Sequence, residues 1–290
     1  MRILVIGDFH GKFSKKFEKI IKRERIDIVV SNGDYLPFAY RELWFKHCFG
    51  KDVGLWEVIG KKKYKVLIRD DLNAGESVLK KMNNLPVSVV TVLGNMDYPD
   101  SEDVIDPEQI KNQCLREKWE FDLDRKDYFL NLIGKYKNVH LANYSHVKIG
   151  GYIFIGMRGH SSPGKPGSKA FRKHKRKLDK LFKRFRKENG EGKIIFVSHN
   201  VPYNTKLDRI GMKAHKSVRG EHYGSKMARR IIDQWQPILA VGGHIHEGRG
   251  KQMLGKTLCV NPGSAHMGEY AIVEVNHEKG NTKVVFKVKK

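Results

Sequence analysis

Short apolar runs recur along the chain, and five of them lead into Asp, Asn or His, in four cases directly after glycine. Ile3-Leu4-Val5-Ile6 leads into Gly7-Asp8-Phe9-His10, and Ile26 to Ser31 leads into Asn32-Gly33-Asp34. Val87 to Leu93 leads into Gly94-Asn95-Met96-Asp97, and Ile194 to Val197 into Ser198-His199-Asn200. Ile238 to Val241 leads into Gly242-Gly243-His244-Ile245-His246. Short β-branched runs bounded by turn residues read as buried strands. Helical periods separate them. Phe13, Phe17, Ile20 and Ile21 mark the first, Asn73 to Met82 the second and Tyr128 to Ile133 another. Lys169 to Lys187 carries Phe171, His174, Leu178, Leu181, Phe182 and Phe185 on one side, and Tyr223 to Trp235 packs Met227, Ile231 and Trp235. Strand alternating with helix predicts parallel pairing and an α/β class.

The rhythm changes after Gly134. Val139 to Leu141, Val147 to Ile149 and Tyr152 to Gly156 read as consecutive strands, with Gly150-Gly151 as hairpin turn chemistry. Strands are also expected at Thr257 to Val260, Ala271 to Val275 and Val284 to Val288, the last two joined by a turn at Lys279-Gly280-Asn281. Lys61 to Lys65 reads as a basic turn, and Ile110 to Trp119 as a short helix. There is no internal repeat and no dividing linker. A single domain over residues 1–290 is expected, with a basic loop-helix insertion at about 160–193.

Composition narrows the class. Hydrophobic content is 40% and charged content 30%, a globular balance. No run of 18 apolar residues occurs, so no membrane-spanning helix is expected. Met1-Arg2 passes straight into the first strand without an apolar leader, so a cytoplasmic location is expected. Cys48, Cys114 and Cys259 are scattered and form no CxxC pair, which argues against a disulfide scaffold or a thiolate zinc site. The formal charge is +24, from 56 basic and 32 acidic residues. Heat adaptation enriches both signs. The basic excess points further, to phosphate-bearing partners.

Asp8 and His10 stand two apart at one strand end and can face one ion. Asp34 can lend oxygens to two ions, Asn95 a neutral oxygen, and His199, His244 and His246 nitrogens. Carboxylate, amide and imidazole together suit manganese, iron(II), zinc or magnesium better than a soft ion. Two ions about 3.5–4 Å apart would activate a shared water and hold phosphate oxygens. Each residue alone has an ordinary explanation as cap, turn or core-edge residue. Five strand ends together point to a metal site at the edge where α/β sheets bind ligands.

These stretches resemble those of the calcineurin-like metallophosphoesterase superfamily: Asp-x-His, Gly-Asp, Gly-Asn-His-Asp or Glu, a lone His, and Gly-His-x-His. They stand here as Asp8-Phe9-His10, Gly33-Asp34, Gly94-Asn95-Met96-Asp97, His199 and Gly243-His244-Ile245-His246. Asn261-Pro262-Gly263-Ser264 resembles the turn that follows. The resemblance implies a four-layer α/β/β/α sandwich and two divalent ions. One would be held by Asp8, His10, Asp34 and His246, the other by Asp34, Asn95, His199 and His244. It implies in-line phosphoester hydrolysis by a bridging hydroxide, with manganese favoured and iron, zinc, nickel or magnesium open. One position departs. The family's His after the Asn is Met96 here, and a thioether has no proton to donate. His160 and His215, each in a loop after a strand end or ligand, are candidates for the vacant role, with an ordinary loop histidine as the other reading of each.

Residues 165–193 hold 13 basic and 3 acidic residues. A solvated helix face, a nucleic-acid backbone contact and a membrane or partner surface are the three readings of this segment. The expected function is hydrolysis of phosphodiesters, possible substrates including DNA or RNA. The alternatives are a catalytically weak metal-binding module and a small-molecule phosphomonoesterase. Oligomeric state is not set by the sequence.

Overall fold

The computed structural model describes residues 1–49, 51, 53–97, 128–159, 166–212, 216, 218–276 and 281–287; within 128–130 and 281–287 only the backbone is described. Two six-stranded sheets face each other. The first is built from β1 (Arg2–Ile6), β2 (Ile28–Ser31), β3 (Val89–Thr91), β4 (Val139–Leu141), β11 (Tyr270–Asn276) and β12 (Asn281–Lys287), in the order β12-β11-β1-β2-β3-β4. The second has β5 (His146–Ile149), β6 (Tyr152–Met157), β7 (Ile194–Asn200), β8 (Leu239–Gly243), β9 (Gly250–Leu254) and β10 (Thr257–Asn261), in the order β5-β6-β7-β8-β10-β9. β1, β2, β3 and β4 pair parallel, as do β6, β7, β8 and β10.

The period of two along the strands sorts side chains into three cores. Ile3 and Val5 of β1 meet Ile195 and Val197 of β7 between the sheets. Leu4 and Ile6 point the other way, onto α1 (Lys16–Arg23) and α4 (Lys61–Asn83). Ile194 and Phe196 point outward onto α6 (Lys169–Arg184) and α8 (Lys226–Trp235). The α/β/β/α sandwich expected from the sequence is therefore present. α2 (Arg41–His47), α3 (Leu55–Ile59) and α5 (Tyr128–Ile133) complete the layer that holds α1 and α4.

Three local readings change. Lys61 to Lys65 is not a turn but the first turn and more of α4, entered through Gly60 at φ 85°. The helical period of Tyr64, Ile68, Leu72, Val78, Leu79 and Met82 starts there and overrides the lysine run. The helix foreseen over Lys169–Lys187 ends at Arg184 and resumes as α7 (Arg186–Gly190). The helix foreseen from Tyr223 starts at Lys226, where the Ser225 side chain caps Ala228 N–H. The segment expected as a basic loop-helix insertion contains α6, which stands between parallel β6 and β7 in the chain. Helix Ile110 to Trp119 and residues 279–280 of the expected last turn lie outside the described residues, while Asn281 pairs with Asn276 in the ladder. Among the described residues no helix is long and apolar enough to cross a membrane.

Candidate metal centre

The C-terminal ends of β1, β2, β3, β7 and β8 meet at one edge, where the two sheets face each other. Four of the seven expected donors stand there in the left-handed region: Asp8 at φ 54°, His10 at 43°, Asp34 at 56° and His244 at 72°. Such a conformation costs a non-glycine residue of order 1 kcal/mol or more and persists where its surroundings over-determine it. Here they do. Asp8 N–H donates to the Gly33 carbonyl at 2.8 Å, and Phe9 and His10 N–H both donate to the Asp34 carbonyl. Ser264 Oγ donates to the Asp8 carbonyl at 3.0 Å, and Ala265 N–H to the Gly7 carbonyl at 2.8 Å. The Asn-Pro-Gly-Ser turn thereby closes on the first strand end.

Two groups of donors result. The ligand atoms of Asp8, His10 and His246 all lie within 4.8 Å of one another, and so do those of Asp34, His199 and His244. In the first, His10 Nε2 faces His246 Nε2 at 3.4 Å, and His246 Nε2 lies 3.4 Å from Asp8 Oδ1. In the second, His199 Nε2 lies 2.8 Å from Asn95 Oδ1, 3.2 Å from His244 Nδ1 and 3.6 Å from Asp34 Oδ2. The orientation of the His199 ring is set by its other nitrogen. Nδ1 sits 2.7 Å from the Asn32 carbonyl, which can only accept, so Nδ1 carries a proton and Nε2 is the nitrogen turned toward the other donors. That nitrogen, an amide oxygen and a carboxylate oxygen converge. Burial pulls the His199 imidazole down, but the Asp34 and Asp8 carboxylates outweigh it and hold it above its ordinary value, so a divalent cation there would take the place of the Nε2 proton. The donor set fits divalent ions of the manganese, iron, zinc or magnesium kind.

The electrostatics agree. Burial pushes the Asp34 carboxyl up from its ordinary range despite the opposing field of His199. Burial acts upward on Asp8 too, but the His246 hydrogen bond and the fields of His199, His246 and His10 outweigh it and hold that carboxyl low. Burial, then the nearby His199, drives His244 down to about 3, so it is a neutral donor at neutral pH. A divalent cation offsets the cost of burying these carboxylates.

Asp8, His10, Asp34, Asn95, His199, His244 and His246 thus come together. His160 and His215 lie outside the described residues. Met96 contributes its backbone N–H, which donates to Asp34 Oδ1 at 2.9 Å.

Two residues that hold the donors were not singled out by sequence. Buried Asp97 accepts N–H bonds from Asp34 (2.8 Å), Tyr35 (2.7 Å), Leu36 (3.2 Å) and Gly94 (2.8 Å), tying the β2 end to the β3 end. Burial, and then the carboxylate of Asp34, push it up to about 7 against the N–H groups of Gly94, Tyr35 and Leu36. Asn32 orients His199 through its carbonyl, and its buried side-chain amide has no hydrogen-bond partner among the described residues. A Cβ on Gly7 would overlap that amide, and one on Gly243 would overlap both it and Asp8 Oδ2, so glycine is required at both places. Asp97 was visible as the last residue of the third motif. Nothing in the sequence marked Asn32.

A family model for calcineurin-like phosphoesterases matches residues 1–248. A curated relative, an uncharacterized protein of Methanocaldococcus jannaschii, is 39% identical over 71 residues, which are 24% of this chain and 30% of that protein. The match thus spans under a third of that relative's length. One solved structure superposes with a TM-score of 0.60 at 17% identity, covering 98% of both chains. A dimetal phosphatase from Danio rerio gives 0.47 at 11% identity, covering 94% of this chain and 92% of the other. A novel archaeal phosphodiesterase gives 0.39 at 13% identity, with 99% of this chain and 100% of the other covered.

Proposed function

Because the chain belongs to the calcineurin-like phosphoesterase family, we propose that it hydrolyses phosphoesters, phosphodiesters by preference, with two divalent cations at the strand-end cluster. Asp8, His10, Asp34 and His246 hold one ion and Asp34, Asn95, His199 and His244 the other, manganese being the favoured metal and iron, zinc, nickel or magnesium the alternatives. When bound, the metal pair supplies an activated water and charge for phosphorus to be attacked in line. The chain's own part is positioning. Asn32 fixes the ring of His199, Asp97 fixes Asp34 against Asn95, and Asp8 accepts His244 N–H at 3.2 Å. The observation that carries the reading is the convergence of seven donors with His199 Nε2 turned inward. A cytoplasmic setting and a nucleic acid or nucleotide as the diester belong to the same reading; the net charge of +24 supports the latter.

A second reading rests on Met96. Without an imidazole after Asn95, the leaving oxygen has no protein acid at that position, and a weakly active metal-binding module would look the same. The test is manganese-dependent hydrolysis of bis-p-nitrophenyl phosphate beside p-nitrophenyl phosphate, with His199→Ala as control. Diester turnover lost in the variant supports the proposal. Turnover of the monoester alone favours a phosphomonoesterase, and turnover of neither by metal-loaded protein favours the module.

A further inference from the structure

α6 carries eight exposed Lys and Arg residues, among them Lys169, Arg172, Arg176, Lys180, Lys183 and Arg184. At about 100° per residue, all eight fall within an arc of about 140°. The helix has one acidic residue, Asp179, outside that arc, where it pairs with Lys175 at 2.6 Å and accepts the Trp235 indole N–H. The stripe is therefore cationic along its whole length. Its opposite face is committed: Phe171, Leu178 and Phe182 are buried in the core against β6, β7 and α8. A helix that binds membranes through an apolar face needs that face free. No apolar side chain of α6 is exposed.

The direction of α6 follows from pairing. β6 and β7 are parallel, so the helix between them runs back against both and begins at the strand edge that holds the metal-centre donors. Gly159, at that edge, packs directly on His199, and its N–H donates to the Leu93 carbonyl at 2.7 Å. Arg230 of α8 lies over the Phe171 ring at 5.1 Å and widens the positive surface at the end of α6 nearest that edge. The 16 residues of α6 span about 24 Å, which faces about seven phosphates of one strand at ~3.4 Å each.

We infer that the outer face of α6, with Arg230, is a docking track for the phosphate backbone of a nucleic-acid duplex, leading away from the metal-centre edge. The stripe has no exposed aromatic side chain on which unstacked bases could lie, so it suits a paired backbone more than a splayed single strand. The inference deepens the nucleic-acid reading above, and binding is read without turnover, so each can fail alone.

The experiment is fluorescence anisotropy of a labelled 20-base-pair DNA duplex with the full chain, at several salt concentrations. Replacing Arg172, Arg176, Lys180 and Lys183 with Gln should weaken binding at least ~10-fold at low salt and remove about 3–4 from the slope of log affinity against log salt, at ~0.9 per phosphate contact. The pair Lys180→Gln with Lys183→Gln should remove about half of that, which keeps the test readable if the quadruple variant folds poorly. A matched variant on the other helical layer, Lys19, Lys22, Lys62 and Lys63 to Gln, should bind as the parent does. Equal losses in the matched variant, no duplex binding by the parent, or tighter binding to phosphatidylserine vesicles than to duplex would each overturn the inference.

Discussion

The metal-centre edge and the α6 face are both built for charge, and they are built in opposite ways. At the edge, seven donors come from five strand ends; Asp8, Asp34 and His199 are buried and the other four half-buried, and four of the seven hold a left-handed backbone that their neighbours' hydrogen bonds impose. On α6, eight cations stand in water on a regular helix whose inner face alone is fixed. A buried site depends on each member, because an unpaired buried charge or a displaced donor is costly. A solvated stripe depends on the sum, and each member contributes a similar, salt-screened share. Single substitutions should therefore break the edge, whereas only grouped ones should break the helix face.

The largest effect is expected at the edge. His199→Ala removes a donor whose Nε2 is already aimed at the site, and diester turnover at saturating manganese should fall by more than the ~10–100-fold typical of losses in the outer shell of a metal site. Asp97→Asn puts an N–H group among four N–H donors. It should cost roughly 1–3 kcal/mol in thermal unfolding, with loss of metal affinity. Gly243→Ala places a methyl against Asp8 and the Asn32 amide, and overpacking of this kind costs about 1–3 kcal/mol. Calorimetric unfolding with and without manganese checks both, since the stabilisation by metal should shrink too.

A pH series sharpens the contrast. Asp97 lies at about 7 in the folded protein, against ~3.9 for an unfolded Asp. The folded state then holds a proton that the unfolded state has released. The stability this gives is fully present below about pH 4 and is lost as pH rises through about 7. The thermal midpoint of metal-free protein should carry that downward component from pH 5 to 8, and Asp97→Asn should flatten it. The smallest effect is expected on the helix. Ser168→Ala removes the cap on Phe171 N–H and should lower stability by ~1 kcal/mol without changing manganese affinity.

Much of the edge was legible because a strand that ends in Asp-x-His or Gly-His-x-His writes its donors side by side. The layers were legible because β-branched runs and helical periods alternate. What stayed hidden depends on contacts across the chain. Asn32 acts through a carbonyl and a buried amide slotted between Gly7 and Gly243, more than 200 residues apart in sequence, and no local pattern records that. β9 was missed because Gly250-Lys251-Gln252-Met253-Leu254 is an edge strand, mostly solvent-facing, without the apolar run that marks a central strand. The first turns of α4 were hidden by lysines that point outward while Tyr64 and Ile68 already follow the inner face. On α6 the cations were countable in the sequence, but their direction relative to the metal-centre edge needed the parallel register of β6 and β7.

The most direct measurement is calorimetric titration of the metal-free full chain with Mn²⁺, beside His10→Ala and His199→Ala. The account predicts two ions per chain in the parent and the loss of a different one in each variant. A single site in the parent, or two undiminished sites in both variants, would contradict it.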